Sequence, residues 1–222
     1  MKPAVAVMAK VPGATTVKSR LHGALTPERA TELYRCFLLD RLDALAALTG
    51  IAPLVAYTPP EARDALAALV PPGLGLLAQR GADLGERLSN LLADLVGAGH
   101  PGALAIDSDS PTLPMTWVLE AVRALEHGAA DVAIGPCDDG GYYLIGLRAP
   151  RPALFDGMPW STERVLALTL DRAKDLGLRV HLLPPWFDVD TEPDLRRLHA
   201  ELAGGGGPRR TRAFVEALFP SS

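Results

Sequence analysis

Ala103-Leu104-Ala105-Ile106-Asp107-Ser108-Asp109-Ser110-Pro111 is the stretch that decides the reading of this chain. Four apolar residues run into carboxylates, serines and a proline. A short apolar run bounded by turn formers predicts a buried strand of a parallel sheet over 103–106. Asp107 and Asp109 then stand just past the strand's carboxyl end, where open α/β sheets hold their ligands. An Asp-x-Asp pattern there offers hard oxygen donors to a divalent cation, and Mg²⁺ commonly takes one or two carboxylates plus substrate phosphates. The plainer alternative is that Asp109 or Ser110 only starts the next helix.

Working outward, the same pattern recurs. Ala4–Ala9 is apolar throughout, as a central parallel strand is. Further strands are predicted over 51–57, 74–78, 131–135, 143–147 and 179–183. Helices are predicted over 27–48, 60–69, 84–96, 114–127, 162–176 and 209–219, with one more starting after Asp190. Thr26 is a helix cap and Pro27 a first-turn residue. This alternation predicts a three-layer α/β fold, with a mainly parallel central sheet and helices on both faces. Residues 1–203 read as one domain, and 204–222 as a glycine-rich break followed by a C-terminal helix.

Composition limits the function. The chain has 222 residues, is 48% hydrophobic and carries a net charge of −4. That suits a globular enzyme-sized domain and argues against broad nucleic-acid binding. The start, MKPAVAVMAK, has too short an apolar run for a signal peptide. No 18-residue stretch is apolar enough to span a membrane. Cys36 and Cys137 have no metal-ligand spacing and read as free thiols of a reducing, cytoplasmic compartment.

The loop after the first strand is the second informative stretch. Ala9 and Lys10 lead into Val11-Pro12-Gly13-Ala14-Thr15-Thr16-Val17-Lys18-Ser19-Arg20. Two of the chain's four lysines lie here. Such a loop is where nucleotide phosphates sit in related sheets, with lysine as a point charge and arginine as a bidentate fork. Asp83 and Arg87 follow the third strand; they face the nucleotide, or Asp83 merely caps a helix with Glu86 as its partner. Asp139-Gly140-Gly141-Tyr142 is a hairpin turn, or a place where paired glycines let the backbone approach an acceptor. Trp160-Ser161-Thr162 opens a helix, with Ser161 or Thr162 as cap, or lines the acceptor site. Asp188-Val189-Asp190-Thr191 supplies a second acidic cluster at a loop edge. Asp109 and Asp190, with Asp107, would form a two-jawed metal site.

Taken in order, these motifs give a resemblance. Lys10-x-Pro12, Val17-Lys18-Ser19-Arg20-Leu21, Ala82 to Arg87, Ser108 to Pro111, Asp139 to Gly146, Trp160 to Thr162 and Asp188 to Thr191 resemble a bacterial family of glycosyltransferase-A-type proteins. That family is related to the 2-phospho-lactate guanylyltransferases of deazaflavin cofactor biosynthesis. The resemblance covers residues 4–198. It implies a nucleotide-diphospho-sugar transferase fold, a divalent cation (Mg²⁺ or Mn²⁺) and a nucleotide held by the first loop.

On this reading Lys18, Arg20 and Asp109 carry the chemistry. Ala9, Lys10, Lys18, Arg20, Asp83 and Arg87 hold the nucleotide. Asp139, Gly140, Gly141, Tyr142, Trp160, Ser161 and Thr162 hold a small-molecule acceptor. Three functions stay open: nucleotidyl transfer from an NTP to a small anionic acceptor, glycosyl transfer from an NDP-sugar, and nucleotide binding without turnover. The expected partners are a nucleotide and an acceptor, with neither nucleic acid nor membrane; a homodimer is compatible with the sequence.

Overall fold

The computed structural model of the protein describes residues 1–219. Seven strands form one sheet in the order β3-β2-β1-β4-β6-β5-β7. They are β1 (Ala4–Lys10), β2 (Ala52–Thr58), β3 (Gly75–Ala78), β4 (Ala103–Ile106), β5 (Val132–Pro136), β6 (Tyr142–Leu147) and β7 (Val180–Leu182). Strands β3, β2, β1 and β4 run parallel, and β7 runs parallel to β5. Only β6 is reversed, between β4 and β5. The Asp139-Gly140-Gly141 turn accounts for this: it sends the chain straight back beside β5 as a hairpin, and β6 then pairs with β4 as well.

Seven helices flank the sheet: α1 (Pro27–Ala46), α2 (Arg63–Ala67), α3 (Leu84–Gly97), α4 (Met115–Glu126), α5 (Val165–Asp175), α6 (Glu192–Leu202) and α7 (Arg209–Leu218). The predicted order of elements holds throughout. The boundary of α5 is a correction. It starts at Val165, and neither Ser161 nor Thr162 caps it. Ser161 has a left-handed backbone, φ +63°, and the Thr162 hydroxyl donates to the Pro159 carbonyl instead.

Two apolar layers cover the sheet. Val5, Val7, Val55, Leu104 and Ile106 pack on one face with Leu38, Leu42 and Leu45 of α1 and Val118 and Leu125 of α4. Ala4, Ala6, Ala103, Ala105 and Ile145 pack on the other, with Leu88, Leu92 and Leu95 of α3. The apolar run of β4 is needed because all four of its residues are buried. A third cluster joins Leu33 and Phe37 of α1 to Val189, Leu195 and Leu198 around α6 and to Val215 of α7. The segment after the glycines therefore docks on its own chain, through α1 and α6. The last three residues of the expected 204–222 segment lie outside the described residues. No helix among the described residues is long and apolar enough to cross a membrane.

Candidate active site

A cleft of about 580 Å³ opens over the carboxyl ends of β1 and β4. The strand numbering changes direction between those two strands, which is the crevice that α/β sheets use for ligands. Lys10, Lys18, Arg20 and Arg87 line it together with Asp107, Asp109 and Asp190. Residues from four separate parts of the sequence thus meet at one sheet edge.

Lys18 is the hinge of the arrangement. Its side chain is only 3% exposed, yet its ammonium pairs with Asp109 and lies 2.9 Å from Asp190 Oδ1. Arg20 Nη1 reaches the other oxygen of Asp190 at 3.6 Å. The Lys18 backbone is left-handed, φ +50°. That conformation costs a non-glycine residue free energy and persists only where surroundings overdetermine it; here two carboxylates hold the ammonium. Burial works against the charge of Lys18, but Asp109 and Asp190 outweigh it and raise its pKa well above the ordinary lysine value. Burial would raise Asp190 too, yet Lys18, with Arg20, pulls it below the usual carboxylate value. The two partners therefore agree: at neutral pH the pair is ionised.

The Asp-x-Asp pattern divides its labour. Asp109 faces Lys18. Asp107 accepts a hydrogen bond from Ser110 Oγ at 2.5 Å and lies 4.0 Å from the Arg41 guanidinium, which also donates to the Ser110 carbonyl. Burial, opposed by Arg41 and reinforced by Asp109, pushes the Asp107 carboxyl up to about 6. One of its oxygens, Oδ1, is buried without a hydrogen-bond partner among the described residues. Between them, Ser108 accepts from or donates to Tyr34 at 3.0 Å, and the Lys10 amide donates to the same phenol at 2.9 Å. That phenol ties the end of β1 to the loop after β4, so α1 sets the spacing of the cleft's two walls.

Asp83 sits elsewhere than the nucleotide reading expects. It caps α3, accepting from the Glu86 amide at 2.9 Å, while Glu86 reaches back to the Ala82 amide. Arg87 does line the cleft, braced by a hydrogen bond to the Gly81 carbonyl. Ala9 lines it too, at the end of β1.

Of the expected acceptor residues, Tyr142 and Ser161 line the cleft. Asp139 accepts from the Gly141 amide within its own turn. Gly140 has φ +88°, and a Cβ there would lie 2.3 Å from the Glu163 carbonyl oxygen. The glycine is required by packing of the hairpin against the segment entering α5. Trp160 meets Tyr142 edge-on, with ring centroids 6.3 Å apart, and covers Gly85. It packs behind Tyr142, outside the residues that line the cleft.

The sequence reading did not assign Asp188, Tyr34, Arg41 or Cys137. Asp188, Asp139 and the buried Cys137 place ligand atoms within 4.8 Å of one another. Burial, then Asp190, Asp139 and Asp107, push the Asp188 carboxyl up to about 7. Asp188, the first Asp of Asp188-Val189-Asp190, could have been flagged by its spacing from Asp190. Tyr34, Arg41 and Cys137 carried no local signal, because their partners lie far off in sequence.

The fold and the charged cleft define a transferase of the nucleotide-diphospho-sugar transferase fold. The chain belongs to the family described as "Uncharacterized protein conserved in bacteria (DUF2064)", whose profile matches residues 41–162. It is 29% identical over 221 residues to the 2-phospho-L-lactate guanylyltransferase of Natrialba magadii, covering 92% of this chain and 89% of that protein. A solved structure from Desulfovibrio desulfuricans G20, provisionally described as a nucleotide-diphospho-sugar transferase, matches with a TM-score of 0.90 at 33% identity, covering 97% of this chain and 96% of that one. The 4-diphosphocytidyl-2C-methyl-D-erythritol synthase of Anaerococcus prevotii shares the fold at a TM-score of 0.58 and 11% identity, over 91% and 96% of the two chains.

Proposed function

We propose that the protein transfers a nucleotidyl group from a nucleoside triphosphate to a small anionic acceptor, with release of pyrophosphate. The observation that carries this is the buried ammonium of Lys18 held between Asp109 and Asp190 in a cleft that also presents Lys10, Arg20 and Arg87. A triphosphate needs several fixed positive charges at once, and this cleft supplies them beside carboxylates. The guanylyltransferase relative supports GTP as the donor and a phosphorylated hydroxy acid as the acceptor.

In the reaction an acceptor oxygen attacks the α-phosphorus, a new P–O bond forms, and the bond to the pyrophosphate oxygen breaks. Lys18 and Arg20 stabilise the negative charge that grows on the leaving group. Ala9 and Lys10, at the end of β1, hold the nucleotide with Arg87. Tyr142 and Ser161 shape the acceptor side, and Asp139, Gly140, Gly141, Trp160 and Thr162 support it from behind. Preorganised charge and positioning do the work.

The residues fit a divalent cation. Asp109 and Asp190 are hard oxygen donors converging on one positive group, and Asp107 has a buried oxygen without a partner. These three, with Asp188 beside them, would hold Mg²⁺ or Mn²⁺. Bound there, the ion would act as a Lewis acid toward phosphate oxygens.

Incubation with each NTP, Mg²⁺ and a panel of phosphorylated hydroxy acids tests the reading through pyrophosphate release. GTP-dependent release that Asp109→Ala abolishes is expected. The 33% identical structure favours a second reading, glycosyl transfer. Release of free NDP from an NDP-sugar, with no pyrophosphate from any NTP, would establish that reading and overturn the first.

A further inference from the structure

A second cavity, of about 850 Å³, lies behind the Asp-x-Asp loop, away from the cleft. Its walls are α1, the Pro111–Pro114 segment, the glycine loop 205–207 and the start of α7. Its volume is in the range of small-molecule sites.

The walls carry more positive than negative charge. Arg41, Arg209, Arg210 and Arg212 face Asp40, Asp43 and Glu201. Arg210 is spent on both aspartates, 3.2 Å from Asp40 and 2.6 Å from Asp43. Asp40 is spent again on the first turn of α7, accepting from the Thr211 amide at 2.8 Å. What remains is Arg41, Arg209 and Arg212 against Glu201. Arg212 has a partner in Glu216, at 3.6 Å, and donates to the Leu202 carbonyl.

The hydrogen-bond inventory of these walls is incomplete as well. Arg41 Nε, Arg212 Nη2 and the Thr112 hydroxyl are buried without partners among the described residues. Arg41 has a side chain only 2% exposed, and its nearest carboxylate, Asp107, stands 4.0 Å away, beyond hydrogen-bond reach. A buried guanidinium compensated so loosely is costly. An oxyanion entering from the cavity would complete it.

We infer that the α1–α7 cavity is an anion-binding site, separate from the cleft, for a small molecule bearing a phosphate or carboxylate group, recognised by Arg41, Arg209 and Arg212. Arg41 makes the site more than a surface patch. It lines the cavity, and its guanidinium donates to the Ser110 carbonyl and stands 4.0 Å from Asp107 while leaving Nε unpaired among the described residues, so an anion bound here is linked to the Asp-x-Asp loop.

The probes are inorganic phosphate and citrate, titrated by calorimetry into the full-length protein, its Arg209→Glu and Arg212→Gln variants, and the cleft variant Arg20→Gln. Arg209 is exposed, and its replacement leaves the packing of α7 alone, so it keeps the test valid if Arg212→Gln fails to fold. Saturable binding of at least one anion is expected, weakened ten-fold or more in Arg209→Glu and unchanged in Arg20→Gln. Preference for phosphate or for citrate names the head group. Binding lost in Arg20→Gln but kept in Arg209→Glu would put the anion in the catalytic cleft and overturn the inference, as would no saturable binding of either anion. None of these outcomes depends on whether the cleft transfers nucleotides.

Discussion

Lys18 concentrates the site's electrostatics in one residue. Its ammonium offsets two carboxylates that would otherwise repel each other across a half-buried gap. In Lys18→Met, with only Arg20 left beside Asp190, that repulsion favours an added cation. Pyrophosphate release at saturating Mg²⁺ should fall on the order of 10²–10³-fold, the usual loss when one preorganised charge is removed. The divalent-ion concentration needed for half-maximal nucleotide binding should fall at the same time, because the competing ammonium is gone. A variant with full turnover would remove Lys18 from the chemistry. This role was half legible in the sequence. Two lysines in a first-strand loop point to phosphates, but nothing local says that Lys18 is buried or that it bridges Asp109 to Asp190, 81 residues further along. The same limit hid Arg41 and Tyr34, whose partners come from the loop after β4.

At the level of elements, the β5–β6 hairpin is the part of the sheet that departs from parallel order. It depends on Gly140. A side chain there would adopt an unfavourable left-handed backbone and collide with the backbone of Glu163. Gly140→Ala should therefore destabilise the protein by at least ~2 kcal/mol, from a left-handed cost of roughly 1–2 kcal/mol plus the displacement of α5's entry; urea denaturation measures it. Unchanged stability would mean that the turn has another conformation open to it. The hairpin was legible as turn chemistry, Asp-Gly-Gly between two apolar runs. The insertion of β6 between β4 and β5 was not, because strand order is decided by long-range pairing. At the sheet's β7 edge, next to the hairpin, Asp131 leads into β5 and binds Arg179, which leads into β7, through Oδ2 to Nε and Oδ1 to Nη2, both at 2.9 Å. These hydrogen bonds hold the Asp131 carboxyl down at about 2. A depressed carboxylate value stabilises the fold above its unfolded value near 4, and that contribution fades as pH falls toward 2. Asp131→Asn should accordingly lower the melting temperature at pH 7 and make a much smaller difference near pH 2. An equal deficit at both pH values would mean that packing, and not charge, connects β5 to β7.

The whole molecule is built so that one edge of the sheet collects charge while three apolar clusters hold the rest. The third cluster matters most for the cleft. Val189, flanked by Asp188 and Asp190, is fully buried among residues of α1 and α6, and Lys18 lies 5.7 Å over the ring of Phe37 in the same cluster. The Asp190 jaw of the carboxylate site and the lysine that pairs with it therefore rest on a core that includes α7. A ligand that binds the folded chain and not the unfolded one stabilises it by RT ln(1 + [L]/Kd), about 2.7 kcal/mol at a hundred-fold excess over Kd. For a chain of this size, each kcal/mol moves the melting temperature by roughly 2–4 °C. GTP with Mg²⁺ at that excess should raise it by about 5–10 °C, while GTP with a chelator should give much less, since Asp109 and Asp190 then face the phosphates with only Lys18 and Arg20 to offset them. The loop carrying Asp190 rests on α7 through Val189 and Val215. Val215→Ala should thus lower the melting temperature without ligand and weaken the Mg²⁺-dependent rise, although it touches no part of the cleft. If the rise survives intact in that variant, the carboxylate loop is held from the cleft side by Lys18 and Arg20, and the third cluster contributes only to stability.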